Sequence, residues 1–257
     1  MLRFIPGRPA LITQDALVLA DLHLGLEHEL FGKGVRVGSQ MQGMLEQTIE
    51  LLDQYSPELV IFLGDVKHNV PDTPLEETKD LVKFFGAVSS RARVVITLGN
   101  HDGNLARFLQ GQKVEIAPAG GFIHGGISFF HGHAWPSSEA MSQKTIIMAH
   151  QHPTVEFIDP VGGRHVRKVW CIGKFSTEAK ERYPNLSPDA KGIIAPAFNP
   201  LTSGAVLNRN PPEGTHGPLM NNKIFKLEES NVYLLDGTPL GSVRSLTPLG
   251  APEGFND

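Results

Sequence analysis

The chain has 257 residues, of which 40% are hydrophobic, and this length suits one large domain with a full core. The formal net charge is −4 and the Lys and Arg residues are scattered, which argues against the broad basic surface of a nonspecific polyanion binder. The single cysteine, Cys171, excludes a disulfide framework and a thiolate zinc cluster. Its strand-like surroundings predict a buried thiol with no catalytic role.

The first residues lack the apolar region of a secretory signal, and no stretch of the sequence is apolar over the length needed to span a bilayer. We therefore expect a cytoplasmic protein without membrane contacts. The sequence shows no internal repeat and no interdomain linker, so a single domain is expected over residues 1–257. It carries no signature of an oligomeric state.

Strands and helices alternate in the first half of the chain. Apolar runs predict three strands, at residues 16–20, 59–63 and 94–98. Helical spacing predicts two helices between them, at about 39–52 and 73–89, and the second opens with a Thr-Pro-Leu-Glu capping-box pattern. This alternation indicates a mostly parallel sheet with right-handed crossovers. The chemistry then belongs at the carboxyl ends of the strands.

After about residue 113 the pattern changes to short strands and turns. The predicted strands are residues 122–124, 127–131, 145–149, 155–158, 165–172, 192–195, 232–235 and 241–246. Residues 160–163 and the pair 236–237 predict hairpin turns, and residues 178–222 are expected to form long loops around one strand. This half should form an antiparallel or mixed sheet that packs on the first.

Seven of the eleven histidines lie in five short strings, and each string follows an apolar run. The strings are ADLHLG (20–25), LGDVKH (63–68), LGNHDG (98–103), FFHGH (129–133) and AHQHP (149–153). Polar residues that follow buried strands emerge together at one sheet edge. The strings therefore predict a metal site with nitrogen and oxygen ligands.

Asp21 and His23 are two residues apart, so an extended backbone would point both side chains the same way. Taken alone, this pair could equally be a carboxylate that caps the next turn beside a surface histidine. Asp65, which follows Gly64 after the second strand, can bridge two metal ions about 3.5 to 4 Å apart.

The remaining donors come from three later strings. Asn100 offers a neutral amide oxygen, and the alternating His150 and His152 offer imidazole nitrogens. His131 offers another nitrogen, although His133 lies on the same side of an extended strand and is the alternative ligand. We favour His131 because it ends the apolar run.

These donors suffice for two ions that share Asp65. The two ligand sets are Asp21, His23, Asp65 and His152 for one ion, and Asp65, Asn100, His131 and His150 for the other. Two divalent ions against two carboxylates leave the site cationic, which favours an anionic phosphate and a metal-bridging hydroxide as the nucleophile. Mn²⁺ is the first expectation, and Fe, Zn, Co or Ni also suit these ligands.

The order of these motifs resembles that of the calcineurin-like metallophosphoesterases. Asp-x-His, Gly-Asp-x-x-His, Gly-Asn-His-Asp, His-Gly and His-x-His follow one another between residues 20 and 153. The resemblance implies an α/β fold, a four-layer α/β/β/α sandwich of two mixed sheets flanked by helices, with residues 154–257 completing it. It also implies the ligand sets given above and a phosphate-ester substrate.

The same resemblance implies a role for His101 beside the leaving oxygen, as a general acid or a stabiliser of the transition state. Asp102 would orient or charge-stabilise that imidazole, and capping of the following turn is the alternative. The string Gly64 to His68 resembles the SbcD-type repair nucleases, which implies that His68 contacts the scissile phosphate.

Residues 195–200 and 205–208 resemble archaeal SbcD-related phosphoesterases and bacterial DNA ligase-associated metallophosphoesterases. Together with His68, this likeness implies a stand-alone phosphodiesterase. Two alternatives stay open: a DNA-processing nuclease of SbcD type, and a noncatalytic scaffold that uses the fold to bind a partner.

One basic cluster bears on the nuclease alternative, and it consists of Arg164, His165, Arg167, Lys168 and Lys174. It could guide a phosphodiester backbone, and Trp135 and Trp170 could stack on bases. A solvated hairpin with alternating charges and packed tryptophans explains the same residues. With a net charge of −4, nucleic acid is not the favoured partner.

Overall fold

Six strands form the first sheet, and their order in the sheet follows their order in the chain. They are β1 (Arg3–Phe4), β2 (Leu11–Ile12), β3 (Ala16–Leu19), β4 (Leu59–Phe62), β5 (Arg93–Thr97) and β6 (Val114–Ala117). Strands β3 to β5 are parallel, as the sequence predicts. Strand β6, which the sequence did not predict, extends this parallel set, and β1 and β2 add an antiparallel edge. The structure is a computed structural model that describes residues 2–202, 204–209 and 216–246.

Helices cover the outer face of this sheet. Helices α2 (Met41–Tyr55), α3 (Leu75–Ser89) and α4 (Leu105–Phe108) supply the apolar side chains on this face, and α1 (Leu26–Gly32) follows the loop after β3. Helices α2 and α3 are the two that the sequence predicts, but the capping box is wrong. Helix α3 has Pro74 at its N-cap without a side-chain cap, and the hydroxyl of Thr73 has no hydrogen-bond partner among the described residues. None of the described helices is both long enough and apolar enough to cross a membrane.

The second sheet is mixed, as predicted. Its strands are β7 (Phe122–His124), β8 (Ile127–Phe130), β9 (Thr145–Met148), β10 (Thr154–Ile158), β11 (Arg164–Lys174), β12 (Lys191–Ile194), β13 (Asn231–Leu234) and β14 (Pro239–Ser242). The order is β14-β13-β11-β12-β9-β8-β7, and β10 pairs with β11. Strand β9 is parallel to β8 and β12, and the other described pairs are antiparallel.

Three short helices lie on the far side of this sheet, α5 (Ser138–Met141), α6 (Ala179–Arg182) and α7 (Pro218–Asn221). The hairpin turn predicted at 160–163 is present, and the Asp159 carboxylate accepts the amides of Val161 (3.0 Å) and Gly163 (2.7 Å). The last predicted strand ends early, because a 3₁₀ turn begins at Val243. Within the predicted loop region, residues 203 and 210–215 lie outside the described residues.

Alternation along the strands sorts the side chains into layers. In β3, Leu17 and Leu19 pack with the buried faces of α2 and α3, whereas Val18 points to the second sheet. There it belongs to an apolar layer with Phe129, Ile147 and Trp170. A third apolar cluster joins the other face of the second sheet to α5, α6 and α7. The four-layer α/β/β/α sandwich is therefore confirmed.

Cys171 belongs to that third cluster and is fully buried, as the sequence predicts. Burial raises the pKa of the Cys171 thiol to about 12. The thiol therefore stays protonated near neutral pH and is not a nucleophile.

Because the two sheets pack face to face, removing a large side chain between them should leave a cavity and lower the stability of the fold. Phe129 is 0% exposed in the layer between the sheets, so we expect Phe129→Ala to lower the free energy of unfolding by about 3–5 kcal/mol. The matched control is Phe31→Ala, because the Phe31 side chain is 61% exposed and its loss should change stability by less than about 0.5 kcal/mol. Denaturant unfolding measures both, and equal effects would contradict the face-to-face packing.

Candidate metal centre

The polar residues predicted as metal ligands all follow strands at their carboxyl ends. Those from the first sheet come after β3, β4 and β5, and those from the second come after β8 and β9. Because the strands within each group are parallel, these ends meet at one edge of each sheet. The face-to-face packing of the sheets then brings all seven predicted ligand residues together.

Three of them surround the Nε2 atom of a fourth, His131. This nitrogen lies 3.3 Å from Oδ2 of Asp65, 3.2 Å from Oδ1 of Asn100 and 3.0 Å from Nδ1 of His150. His131 is held in place because its Nδ1 donates to the carbonyl of Leu63 at 2.8 Å. This group is the ligand set expected for the second ion.

The other group contains Asp21, His23 and His152, whose ligand atoms lie within 4.8 Å of one another. Oδ1 of Asp21 is 3.3 Å from Nε2 of His152. Nε2 of His23 lies 3.6 Å from Oδ2 of Asp65. The same Asp65 oxygen therefore faces both groups, which is the geometry that a bridging carboxylate requires.

The buried polar atoms of this site fit a bound cation. Asp21 is 0% exposed, and neither of its carboxylate oxygens has a hydrogen-bond partner among the described residues. The Nε2 atom of His23 is also buried and unpartnered in the described part of the chain. Leaving a buried carboxylate unsatisfied is costly, and a divalent cation would satisfy both acceptors. The donors are oxygen and nitrogen, which suits a transition metal.

The backbone reaches this arrangement by a different route from the one expected. Residue alternation predicts extended backbone at Asp21-x-His23 and His150-x-His152. These four residues instead have left-handed φ values of 52°, 41°, 71° and 43°, and Asp65 has a φ of 48°. Such values cost of order 1–3 kcal/mol for a non-glycine residue and persist only where the surroundings impose them. The strain is therefore concentrated at the site.

Two glycines allow the close approach of these loops. A Cβ atom on Gly99 would lie 2.2 Å from Oδ1 of Asp65, and one on Gly64 would lie 2.7 Å from the ring of His131. Gly64 also has a φ of 71°. Both positions therefore require glycine, for space at Gly99 and for space and backbone conformation at Gly64.

The charges in the site are strongly coupled. Burial disfavours ionisation of Asp65, but His131, His23 and the His101 amide outweigh it and lower the pKa of that carboxyl. Burial likewise opposes a charge on His131, yet Asp65 and Asp21 raise its pKa to about 9. Burial and the neighbouring His131 lower the pKa of His150 to about 3. Near pH 7 the Asp65 carboxylate is therefore ionised, and the His150 imidazole is neutral with a lone pair that could bind a metal ion.

His133, the alternative ligand, lies outside both groups. Its ring centroid is 5.3 Å from that of His131 and 6.2 Å from that of His150. It lines a cavity of about 550 Å³ that extends from Asn100 towards Leu105 and Ile116. The structure therefore favours His131 as the ligand.

His101 lies beside the first group, 4.9 Å from the ring of His23 between centroids. Its amide donates to Oδ1 of Asp65 at 2.8 Å, and its Nδ1 contacts the carbonyl of His68. A carbonyl only accepts, so Nδ1 carries the proton and Nε2 is the nitrogen left for a substrate.

Asp102 does not contact the His101 imidazole through any described hydrogen bond. Its carboxylate instead accepts four backbone amides, from Asp65 and Gly99 (both 2.8 Å), Val66 (2.9 Å) and Lys67 (3.4 Å). Burial, and then the nearby Asp65, raise the pKa of Asp102 to about 6. Asp102 therefore holds the Asp65 loop, in place of the orienting and turn-capping roles expected for it.

His68 has both ring nitrogens occupied. Nε2 lies 2.6 Å from Oε2 of Glu29, and Nδ1 lies 3.2 Å from Nδ1 of His23. Neither nitrogen is left for a phosphate oxygen, so the expected phosphate contact is not supported by this placement. Glu29 lies in α1 and belongs to none of the motifs, so its place beside His68 was not predicted from the sequence.

A second missed feature supports the Asp21 loop from behind. The Asn199 side-chain amide donates to the carbonyls of Leu22 (2.8 Å) and His23 (3.2 Å). Lys168 in turn donates to the carbonyls of Ala197 (2.7 Å) and Asn199. The only signal for this brace in the sequence was the family likeness of residues 195–200.

Two residues of the basic cluster are paired with carboxylates within its hairpin, and a third is turned inward. Arg164 pairs with Glu156 at 3.1 Å, His165 pairs with Asp159 at 3.1 Å, and Lys168 is half-buried in the brace. Trp170 is buried, and the guanidinium of Arg182 lies 3.8 Å from the ring centroid of Trp135. The structure therefore favours the hairpin explanation over a nucleic-acid surface at this cluster.

Several solved structures match this chain, and one of them does so with a TM-score above 0.5. The crystal structure of the Pseudomonas putida nuclease MPE matches with a TM-score of 0.58 and 18% identity, covering 93% of this chain and all of that one. Yfce, a phosphoesterase from E. coli, matches with a TM-score of 0.37 and 17% identity, covering 56% of this chain and 73% of that one. An archaeal phosphodiesterase matches with a TM-score of 0.38 and 16% identity, covering 74% of this chain and 88% of that one. No curated protein sequence gives a significant match.

The family comparison is more specific than these likenesses of fold. Residues 16–195, which are more than two thirds of the chain, match the model of the calcineurin-like phosphoesterases. The match spans all seven predicted ligand residues together with His68, His101 and Asp102, and it supports a metal-binding hydrolase of phosphate esters. The chain belongs to the calcineurin-like phosphoesterase family.

Proposed function

We propose that the protein is a phosphodiesterase that works with two divalent metal ions, of which Mn²⁺ is the first choice. The ions would be bound by the two ligand sets that share Asp65, namely Asp21, His23, Asp65 and His152, and Asp65, Asn100, His131 and His150. The observation that carries this proposal is the buried Asp21 carboxylate, which has no hydrogen-bond partner in the described chain and faces two histidines.

A pair of bound divalent ions supplies hydroxide near neutral pH from a shared water and neutralises charge on the phosphoryl oxygens. The residues of the chain hold the reacting groups in place around these ions. Asp65 keeps one oxygen on the His101 amide, which turns its other oxygen to His23 and His131. In its doubly protonated form, His101 keeps one proton on Nδ1 against the carbonyl of His68 and can deliver the other from Nε2 to the leaving oxygen.

The preference for diesters is supported by the space beside Asn100. The cavity of about 550 Å³ that begins there has apolar walls at Leu98, Leu105 and Ile116. The second ester group of a diester could fill this space while the first one leaves, and would gain binding free energy from apolar burial. A noncatalytic scaffold is disfavoured because every ligand position and His101 carry a competent residue type.

Two variants separate metal binding from proton delivery. Asp65→Asn removes the shared charge, so we expect loss of both bound metal and hydrolysis. His101→Ala leaves both ligand sets intact, so we expect metal content near that of the wild type with turnover reduced by about 10²–10⁴-fold. Metal analysis of the purified proteins and hydrolysis of bis-p-nitrophenyl phosphate with Mn²⁺ give the two readouts. Wild-type rates in either variant would contradict the mechanism.

Asp102 should act through position alone. Replacing it with asparagine removes a charged acceptor from four amides and brings an amide group towards their N–H bonds. We expect Asp102→Asn to lower the free energy of unfolding by about 2 kcal/mol, measured by denaturant unfolding. The exposed Asp189 provides the matched control, since Asp189→Asn should change stability by less than about 0.5 kcal/mol. Equal stabilities would exclude the positioning role.

Substrate preference distinguishes the proposal from the nuclease alternative. With Mn²⁺, we expect a higher kcat/KM for bis-p-nitrophenyl phosphate than for p-nitrophenyl phosphate, because only the diester has a second ester group to place in the apolar cavity. Cleavage of single- or double-stranded DNA with a steep dependence on salt would instead favour a nuclease. A preference for the monoester would contradict the role of the cavity.

A further inference from the structure

Helix α1 brings an acidic residue to the edge of the site, where no motif assigns it a role. Oε2 of Glu29 lies 2.6 Å from Nε2 of His68, and Nδ1 of His68 lies 3.2 Å from Nδ1 of His23. The three side chains thus form a continuous line of contacts from the protein surface to a predicted metal ligand. Exposure falls along this line, from 38% at Glu29 to 12% at His68 and 5% at His23.

We propose that Glu29 and His68 form a hydrogen-bonded relay that keeps the proton of His23 on Nδ1 and leaves Nε2 free to bind the metal. This inference rests on the proposed function, since it takes His23 as a ligand. It gives His68 a positioning role in place of a contact with the substrate, and it assigns Glu29 to the same task.

The direction of each hydrogen bond follows from the chemistry of its partners. An ionised carboxylate only accepts, so the proton between Glu29 and His68 belongs to Nε2 of His68. The relay takes His68 in its neutral form, in which the other nitrogen is an acceptor, so that Nδ1 of His68 accepts a proton from Nδ1 of His23. The remaining nitrogen of His23, Nε2, then carries a lone pair. It is buried and unpartnered among the described residues, 3.6 Å from the shared oxygen of Asp65.

Without the Glu29 carboxylate, nothing in the relay would fix which nitrogen of His68 carries the proton. His68 could then carry its proton on Nδ1 and donate to His23, which would move the His23 proton to Nε2 and block the metal. Ligating histidines commonly depend on such outer partners, whose loss weakens metal binding by about 10–100-fold. We expect an effect near the lower limit here, because the Glu29 side chain is 38% exposed and also pairs with Lys33.

A rival arrangement is a third metal ion at the same side chains. Nitrogen atoms of His23, His68 and His101 lie within 4.8 Å of one another and could in principle share an ion. That ion would need Nδ1 of His23 without its proton, while Nε2 of the same ring binds the first ion. Three bound ions per chain would overturn the relay.

The first test measures affinity for Mn²⁺ by competition with a fluorescent chelator. We expect Glu29→Gln and His68→Gln each to weaken binding by about tenfold, and the double variant to lose no more than either single one, because the two residues act through one contact line. The control Glu50→Gln removes an exposed ion pair with Arg8 and should stay within about twofold of the wild type. Unchanged affinity in Glu29→Gln would overturn the relay.

The second test reads the proton directly and needs no metal. Long-range ¹H–¹⁵N correlations of the full-length chain, labelled at histidine, identify the protonated ring nitrogen of His23. We expect Nδ1 in the wild type, with and without Zn²⁺, and a mixture of both forms in metal-free Glu29→Gln. A proton on Nε2 in the metal-free wild type would refute the relay. A wild type with this relay that binds no Mn²⁺ would count against the proposed function alone.

Discussion

The Asp65 carboxylate lies between two groups of histidines, and the rest of the site depends on its staying there. The protein fixes it from behind: its own amide donates to Asp102 at 2.8 Å, and one of its oxygens accepts the amide of His101 at 2.8 Å. Only the second oxygen faces His23 and His131. Backbone amides, which have little conformational freedom, therefore set the position of the atom that both ions would share.

Burial strengthens the electrostatic attractions within the site, and it also raises the free-energy cost of its unsatisfied charged groups. In the low-dielectric interior the attraction between Asp65 and His131 is large, but the Asp21 carboxylate, which faces His131 and His152 without a hydrogen bond among the described residues, is unfavourable. The left-handed residues add backbone strain at the same point. A cation that satisfied Asp21 would offset both costs, so metal binding would also stabilise the fold.

Much of the fold could be predicted because its central strands are continuous apolar runs, such as β4, followed by polar strings. The two-residue strands β1 and β2 have no periodicity to detect, and only the structure shows them. The identities of the gathered residues followed from their chemistry, but their conformations did not, since left-handed φ values at Asp21 and His150 are imposed by tertiary contacts. Glu29 was missed because a contact across 39 residues leaves no spacing signal.

The brace formed by Lys168 and Asn199 has a consequence for where this fold ends. Asn199 lies beyond residue 195, where the family match stops. Its side-chain amide nevertheless donates to the carbonyls of Leu22 and His23 in the loop that carries two of the predicted ligands. Similarity alone would draw the limit of the catalytic unit too early. A fragment cut at that limit would keep every chemically active side chain and lose the clamp that shapes the first loop.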